Sequence, residues 1–323
     1  MLKRISTALL LASAAACAIA QASFPSQPIR LVIPYQPGGG SDILARPIAV
    51  DLTQRLKQNV IVENKAGAGG NIGAQMVAQS PPDGHTILVG NNSHMINPSL
   101  YKKPGYDMLA DFAPLTLIAT TPVIVVVHKT SPIHSIADLV ALARRQPGKL
   151  NYATAGVGTP NHLATLLFMK QTNTDMVHVA YKGAGPATLS LLQKESDVFF
   201  APPAPVEPHI RSGDFRAIAV ASAKRFPAFP TVPTIIESGI PGLSDYTADI
   251  WWGLFAPAKT DPAILDKLHA SIVAAVNEPK NSERWTAQGM IPTTMSRAEF
   301  GALVKMELQR WEKVVRENGI TAE

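Results

Sequence analysis

The chain has 323 residues, of which 29 are Lys or Arg and 24 are Asp or Glu, so its net charge is +5. This charge is small and dispersed, and it does not indicate a nucleic-acid surface. Hydrophobic residues make up 46% of the sequence, which is enough for sizeable cores. A chain of this length is expected to form about two domains. No apolar run beyond the N-terminus reaches the roughly 18 residues that a transmembrane helix requires.

Residues 1–22 have the pattern of a cleaved secretory signal peptide. Lys3 and Arg4 give a positive start, residues 9–20 form an Ala-rich apolar segment, and Ala20-Gln21-Ala22 is an A-x-A cleavage site. The pattern predicts a mature protein outside the cytoplasm. Cleavage would remove Cys17, the single cysteine, so no disulfide is expected. Lipidation of Cys17 is the alternative, although the Leu usually found three positions upstream is absent.

Residues 28–46 predict a strand, a glycine loop and a helix, in that order. The apolar, β-branched run at 29–33 is typical of a buried strand. Gly38 and Gly39 allow a ligand to approach the backbone closely. Ser41 is expected to cap the helix, with Asp42 in its first turn. Backbone N–H groups at such a helix start can bind an anion, although an ordinary βα turn is the alternative for a single loop of this kind.

The same order recurs at residues 150–170. A short apolar strand is followed by Thr154, and then by a loop that contains Gly156 and Gly158. Thr159 as N-cap and Pro160 at the first helical position predict a well-formed helix start, with His162 in its first turn. The chain is therefore expected to contain two similar anion loops.

Other polar residues are expected at the carboxyl ends of strands. Asn91 and Ser93 follow a strand at 86–90, and open α/β sheets bind ligands at such ends. Ordinary polar turn residues are the alternative there. Strand-like segments near 118–128 and 247–256 predict two crossings between the halves of the chain. The predicted domains are 23–122 with 247–323, a discontinuous unit, and 123–246.

Several residue types associated with catalysis are present without the accompanying motifs. Ser41, Asp42 and His162 are the types used in acyl transfer, but the chain has no G-x-S-x-G elbow. Asp42 stands directly beside Ser41, where it is poorly placed to orient a histidine. No H-E-x-x-H motif or Cys/His cluster indicates a metal site. Neither a hydrolase nor a metal or cofactor site is therefore expected.

Short motifs with a distinctive order and spacing run along nearly all of the mature chain. They are Pro28-Ile29-Arg30, Pro37-Gly38-Gly39 with Asp42, Val62-Glu63-Asn64, Gly67-Ala68-Gly69-Gly70-Asn71-Ile72-Gly73, Pro82-Asp83-Gly84, Asn97-Pro98, Asn151-Tyr152-Ala153, Gly156, Gly158-Thr159, His162, Tyr181-Lys182-Gly183, the segment 230–241, Trp251 and Gly253-Leu254-Phe255-Ala256-Pro257. Each motif is weak alone. Together they resemble the periplasmic substrate-binding proteins of tripartite tricarboxylate transporters, the TctC or Bug family.

This resemblance implies a type II periplasmic binding protein fold, in which two α/β lobes joined by two hinge strands close over a small organic di- or tricarboxylate. It also implies a periplasmic location, the membrane permease subunits as partners, and a monomer. In such proteins the ligand carboxylate sits between the two strand–loop–helix units. The residues implied here are Gly38, Gly39, Ser41 and Asp42 from one unit, and Thr154, Gly156, Gly158, Thr159 and His162 from the other.

Two departures from the family pattern bear on the ligand. Ala201 follows the strand at 197–200, where many relatives have an acidic residue, so an amino acid is disfavoured as ligand. Trp252, next to Trp251, could stack on an aromatic carboxylate, and its alternative role is in the core. A protein with this sequence could also be a sensor that presents its loaded form to a signalling partner.

Overall fold

The computed structural model describes residues 24–181 and 183–321. The signal peptide predicted at 1–22, with Cys17, lies outside the described residues. The described part of the chain contains eleven strands, ten α-helices and two short 3-10 helices, Ala68–Gly70 and Ile236–Ser238. The strands are β1 (Ile29–Ile33), β2 (Val60–Asn64), β3 (Thr86–Asn91), β4 (Phe112–Thr121), β5 (Ile124–His128), β6 (Asn151–Thr154), β7 (Val177–Ala180), β8 (Val198–Ala201), β9 (Phe215–Val220), β10 (Ile250–Pro257) and β11 (Ile291–Pro292).

The helices alternate with the strands over much of the chain. They are α1 (Gly40–Leu56), α2 (Asn71–Ala78), α3 (Asn92–Leu100), α4 (Ile136–Arg145), α5 (Pro160–Thr172), α6 (Ala184–Leu192), α7 (Pro203–Arg211), α8 (Pro262–Val276), α9 (Pro279–Thr286) and α10 (Arg297–Glu317). Within the described ranges, no helix combines the length and apolar character needed to cross a bilayer.

The strands form two mixed sheets, one in each lobe. The six-stranded sheet of the first lobe has the order β11-β4-β10-β3-β1-β2, and the five-stranded sheet of the second lobe has the order β7-β6-β8-β5-β9. β1 is parallel to β2 and β3, and β6 is parallel to β7 and β8. The strands that cross between the lobes pair antiparallel with their neighbours. The expected two-lobed α/β fold is confirmed.

Burial on both faces explains why the central strands are almost continuously apolar. Leu31 and Ile33 of β1 belong to one apolar cluster, with α1 and α8 packed over that face, whereas Val32 belongs to the cluster on the opposite face. This is the arrangement expected of parallel strands covered by helices on both sides. A third cluster, which includes Leu191 and Val206, covers the outer face of the second sheet.

One apolar cluster is continuous across both lobes. It contains Leu117 of the first sheet, Val125 and Phe200 of the second, and Trp251 at the start of β10. Trp311 of α10 packs into the same cluster. The two lobes therefore share buried apolar surface on one side of the molecule.

The two crossings between the lobes lie side by side. β4 ends at Thr121, which pairs with Ile250 at the start of β10. Two backbone hydrogen bonds continue this contact, from Ala221 N to Val123 O at 2.8 Å and from Ala248 N to Ala221 O at 2.7 Å. Crossings near both expected segments are thus present, while the lobe boundaries 23–122 with 247–323 and 123–246 stay a prediction.

The structure corrects the expected start of the first helix. Gly39 is the N-cap of α1 and Gly40 is its first residue, so Ser41 lies inside the helix. At this position Ser41 does not cap the helix, and its hydroxyl accepts a hydrogen bond from Trp252 Nε1 at 3.1 Å. Asp42 does lie in the first turn, as expected.

Close packing at Gly253 yields a test of the core. A Cβ at Gly253 in β10 would overlap the buried ring of Phe300 in α10. A Cβ at Gly301, which directly follows Phe300 in the chain, would lie 3.7 Å from Pro114 Cγ. Gly253→Ala is expected to lower the free energy of unfolding by about 1–3 kcal/mol through overpacking. Gly301→Ala is the matched control and should be neutral or stabilising, because Ala favours helix over Gly by about 1 kcal/mol. Urea denaturation measures both, and equal effects would contradict this packing.

Candidate functional site

A cleft of about 600 Å³ contains the tips of both glycine-rich loops. This volume lies within the ~300–1,000 Å³ typical of sites for small molecules. Its lining residues are Gly38, Gly39, Gly40, Ile43, Asn91, Thr121, Ala155, Thr159, Pro160, Asn161, Ala184, Gly185, Pro202, Pro203, Ala204, Pro205, Ile250, Trp252, Gln288 and Met290. A groove of similar volume between α5 and α10 includes neither loop. The cleft is therefore the candidate site.

The first loop presents unpaired backbone donors at the start of α1. The N–H groups of Gly40 and Ser41 have no acceptor among the described residues. Gly38 N–H is already used, since it donates to Asp42 Oδ2 at 3.2 Å. α1 is a helix of 17 residues, and the partial positive charge at its N-terminus adds to these donors.

Asp42 supports this loop and does not line the cleft. Its carboxylate accepts two hydrogen bonds from Arg46, from Nε and from a terminal nitrogen, each at 2.8 Å. The Arg46 guanidinium holds the pKa of Asp42 below its usual range. Asn64 Nδ2 donates to the same carboxylate at 3.3 Å. The structure thus gives Asp42 a full set of partners within its own lobe.

Trp252 packs directly against the first loop. A Cβ added to Gly40 would lie 2.6 Å from Trp252 Cζ2, so only glycine allows this contact. The indole N–H donates to Ser41 Oγ, which fixes the position of the ring. The side chain is 7% exposed and lines the cleft, although it also belongs to the apolar cluster under α1. Trp252 therefore packs in the core and also lines the cleft, while its stacking on an aromatic carboxylate stays a prediction.

The second loop is held from below by a stack of rings. His162 stacks on His178 with 4.0 Å between ring centroids, and His178 stacks on Tyr152 at 5.0 Å. Burial lowers the pKa of His162 to about 3, so its ring is neutral and Nδ1 accepts a hydrogen bond from Gly158 N–H at 3.1 Å. His162 and Gly158 do not line the cleft.

Thr154 and Gly156 also act within the loop. The Thr154 hydroxyl lies 2.6 Å from His178 Nε2 and accepts from Gly156 N–H at 3.2 Å. The backbone of Thr159 is the N-cap of α5, but its side chain makes no capping bond; its hydroxyl donates to Gly156 O at 2.6 Å instead. Of these residues, only Thr159 lines the cleft.

Asn161 is the residue that the sequence analysis missed. It lies in the first turn of α5, is 3% exposed, and lines the cleft. Its side-chain Nδ2 is buried without a hydrogen-bond partner among the described residues. A buried unpaired donor costs ~1–3 kcal/mol, which a ligand acceptor would recover. The sequence feature that could have identified Asn161 is its position directly after Pro160, in the first turn of the predicted helix.

The remaining residues expected at the site, Asn91, Ser93 and Ala201, differ in their position relative to the cleft. Asn91 lines the cleft and caps α3, and its Oδ1 accepts from Ser93 N–H at 3.0 Å and from the Tyr35 hydroxyl at 2.8 Å. Ser93 is half-buried outside the lining. Ala201 is fully buried at the end of β8, and the residues after it, from Pro202 onward, line the cleft.

The described residues contain neither a metal cluster nor a catalytic arrangement of the serine type. No group of three or more His, Cys, Asp or Glu side chains in this part of the chain could hold a metal ion. Ser41 accepts from Trp252, Asp42 binds Arg46, and His162 accepts from Gly158. Ser41, Asp42 and His162 therefore each bond to other residues and not to one another, as a catalytic triad would require.

Comparisons with known proteins identify the family of this chain. The family model "Tripartite tricarboxylate transporter family receptor" (TctC) matches residues 44–320. Protein BugT of Bordetella pertussis is 35% identical over 301 residues, which cover 92% of this chain and 91% of BugT. The structure of R. palustris Rpa4515 with adipate is 33% identical, covers 92% of this chain and 99% of that one, and has a TM-score of 0.80.

A second solved structure points the same way. MatC (Rpa3494) from Rhodopseudomonas palustris with bound malate is 31% identical, covers 90% of this chain and 100% of that one, and has a TM-score of 0.77. These neighbours are substrate-binding proteins and not enzymes. The chain belongs to the TctC family of tripartite tricarboxylate transporter receptors, which are periplasmic binding proteins.

Proposed function

We propose that this protein captures a small organic carboxylate between its lobes, 23–122 with 247–323 and 123–246, and delivers it to the membrane permease subunits of a tripartite tricarboxylate-type transporter. The observation that carries the proposal is Asn161, a residue of the cleft lining whose side-chain Nδ2 is buried without a hydrogen-bond partner among the described residues. A carboxylate oxygen is an acceptor that would satisfy this donor.

Both lobes contribute to the proposed carboxylate site. The first lobe offers the free N–H groups at the start of α1, next to Gly38 and Gly39. The second lobe offers Asn161 and the N-terminus of α5, a helix of 13 residues, next to Thr159. Two helix N-termini at one cleft favour a negative charge there. Adipate and malate in the related structures are organic acids, which supports the same ligand class.

Ligand binding would act by closing the cleft. A ligand shifts an equilibrium between open and closed forms only by the difference in its affinity for the two. A carboxylate that bridges the α1 and α5 termini contacts both lobes together only when the cleft is closed. The paired crossings at Thr121 and Ile250 allow this motion, because they alone carry the chain between the lobes in the described residues. The closed form would then be the form that the permease recognises.

Trp252 supports an aromatic carboxylate as one ligand of this class. Its ring lines the cleft and is held in place by Ser41 and Gly40. A flat, fixed indole can stack on an aromatic acid. A thermal-shift screen would reject this choice if aliphatic acids raise the melting temperature and aromatic acids do not.

The central test is Asn161→Asp. This nearly isosteric change places a carboxylate opposite the ligand carboxylate and removes the donor, so the affinity for the best acid of the screen should fall by at least about 100-fold. Isothermal titration calorimetry measures the change. Asn173→Asp is the matched control: it adds the same charge at the exposed C-terminal end of the same helix and should leave affinity unchanged.

The same pair of variants tests delivery in cells that lack the native gene. Wild-type protein and Asn173→Asp should restore uptake of the acid, and Asn161→Asp should not. Uptake that persists without any receptor, together with loss of a transcriptional response, would favour the sensor instead. Unchanged affinity of Asn161→Asp in calorimetry would overturn the proposed site itself.

The pH dependence of binding should follow the ligand. Burial lowers the pKa of His162 to about 3 and that of His94 to about 4, so both rings are neutral near pH 6. Burial raises the pKa of Asp249, beside the second crossing, to about 7, so titrations start at pH 6, where this carboxyl is already mostly neutral. Affinity should be halved at the carboxyl pKa of the acid, ~4 for a simple acid, and fall about tenfold one unit below it.

Two acids with different carboxyl pKa values provide the control for this titration. The fall in affinity should shift with the pKa of the acid used. If both acids lose affinity at one and the same pH, a protein group is titrating, and recognition of the ionised carboxylate is contradicted.

A further inference from the structure

The cleft contains no side-chain charge in the part of the chain that the structure describes. Among residues 24–181 and 183–321, those that line it include no Asp, Glu, His, Lys or Arg. Among the described residues, the donors that give it positive character are backbone N–H groups at helix starts and the Asn161 amide. The two nearest ionic groups of the first loop, Asp42 and Arg46, neutralise each other outside the lining.

The backbone donors of the cleft belong to the starts of α1, α5 and α6. The start of α6 lies beside the second loop, because Gly183 N–H donates to Ala155 O at 3.1 Å. Ala184 and Gly185 of α6 therefore add to the same carboxylate site that Asn161 serves.

The wall of the cleft formed by the start of α7 has fewer backbone N–H donors, although it is also the start of a helix. Pro202 is its N-cap, and Pro203 and Pro205 are its first and third residues. Proline has no N–H group, so Ala204 holds the only N–H in the segment 202–205. This helix start therefore presents a single N–H, that of Ala204, whereas α1 presents two, those of Gly40 and Ser41.

The part of the cleft beside residues 202–205, here called the neutral end, is otherwise apolar or already hydrogen-bonded. Ile250 and Met290 line it with aliphatic atoms, and the Thr121 hydroxyl donates to Gly289 O at 2.7 Å. Gln288 is the remaining polar side chain there, and it is neutral and half-exposed. A second carboxylate held at this end would lose water without gaining a cation, which is unfavourable. Burial of an apolar group against the same wall is favourable.

We infer that this protein selects acids with one carboxylate and an uncharged, largely apolar body over matched dicarboxylates. The inference rests on the proposed function, because it assumes that the first carboxylate binds at Asn161. It assigns ligand discrimination to the proline wall, defined as residues 202–205, together with Ile250 and Met290.

The test compares two matched pairs of acids by calorimetry at pH 7 with the full mature chain. Benzoate is compared with terephthalate, and hexanoate with adipate. In each pair that binds, the monocarboxylate should bind at least about tenfold more tightly. A dicarboxylate that binds equally or more tightly overturns the inference. Failure of all four to bind also overturns it, whereas carboxylate capture itself is judged separately by the wider acid screen and by Asn161→Asp.

A variant that adds a cation to the neutral end provides an independent arm. Gln288→Lys should raise the affinity for the dicarboxylate of the binding pair by about tenfold, while the monocarboxylate changes by less than about threefold. Gln146→Lys is the matched control: it adds the same charge at the exposed C-cap of α4, before the end of β6 that is remote from the cleft, and should change neither affinity. An unchanged preference in Gln288→Lys would overturn the assignment of discrimination to this end.

Discussion

The pairing of β4 with β10 at the crossing is the constraint on which the rest of the structure depends. Thr121 and Ile250 lie side by side there, at the last residue of one crossing strand and the first of the other. Both residues also line the cleft. The backbone that joins the lobes is therefore the floor of the site, and the loops after β1 and β6 meet above it. A ligand that contacts both loops spans the joint on which the lobes would turn.

The two loops are stabilised by the same kind of internal hydrogen bond, made to different side chains. In each loop one glycine N–H donates to a side chain four residues later in the chain: Gly38 to the Asp42 carboxylate and Gly158 to the neutral ring of His162. This internal bond fixes the loop and uses up one donor. In the first loop, the N–H groups of Gly40 and Ser41 stay free for a ligand. In the second loop, Thr159 N–H donates to Gly156 O at 3.4 Å and Pro160 has no N–H, so the Asn161 side chain is the donor that lines the cleft there. The side chains that looked most reactive in the sequence are thus the internal supports of the loops.

Much of the fold follows from local sequence, because strand–glycine–helix order, Pro160 at a helix start and apolar runs all act at short range. α3 was not anticipated, since its sequence is rich in Asn and contains Pro98; it forms because Asn91 and His94 make a reciprocal capping box. The direction of side chains was harder to predict. Ser41 turns to Trp252, a partner 211 positions away, and such pairing is invisible in a single sequence.

The site was therefore predicted at the level of loops and less well at the level of atoms. Both glycine loops reach the cleft, but His162 faces a ring stack that is assembled only when β6, β7 and α5 pack together. Asn161 was overlooked beside it because one turn of helix places adjacent residues in different directions. Adjacent residues can thus have different roles: His162 supports the loop, and Asn161 lines the cleft.

The apolar cluster shared by both lobes has a consequence for how the molecule comes apart. Loss of structure in either lobe would expose part of this cluster, which contains Phe200 of one lobe and Trp251 and Trp311 of the other. Local openings that stop at a lobe boundary are therefore disfavoured, and the two lobes behave as one cooperative unit in unfolding. A small acid bound at the cleft would then protect residues far from it, including those of the outer sheet edges, to the same degree as those it touches.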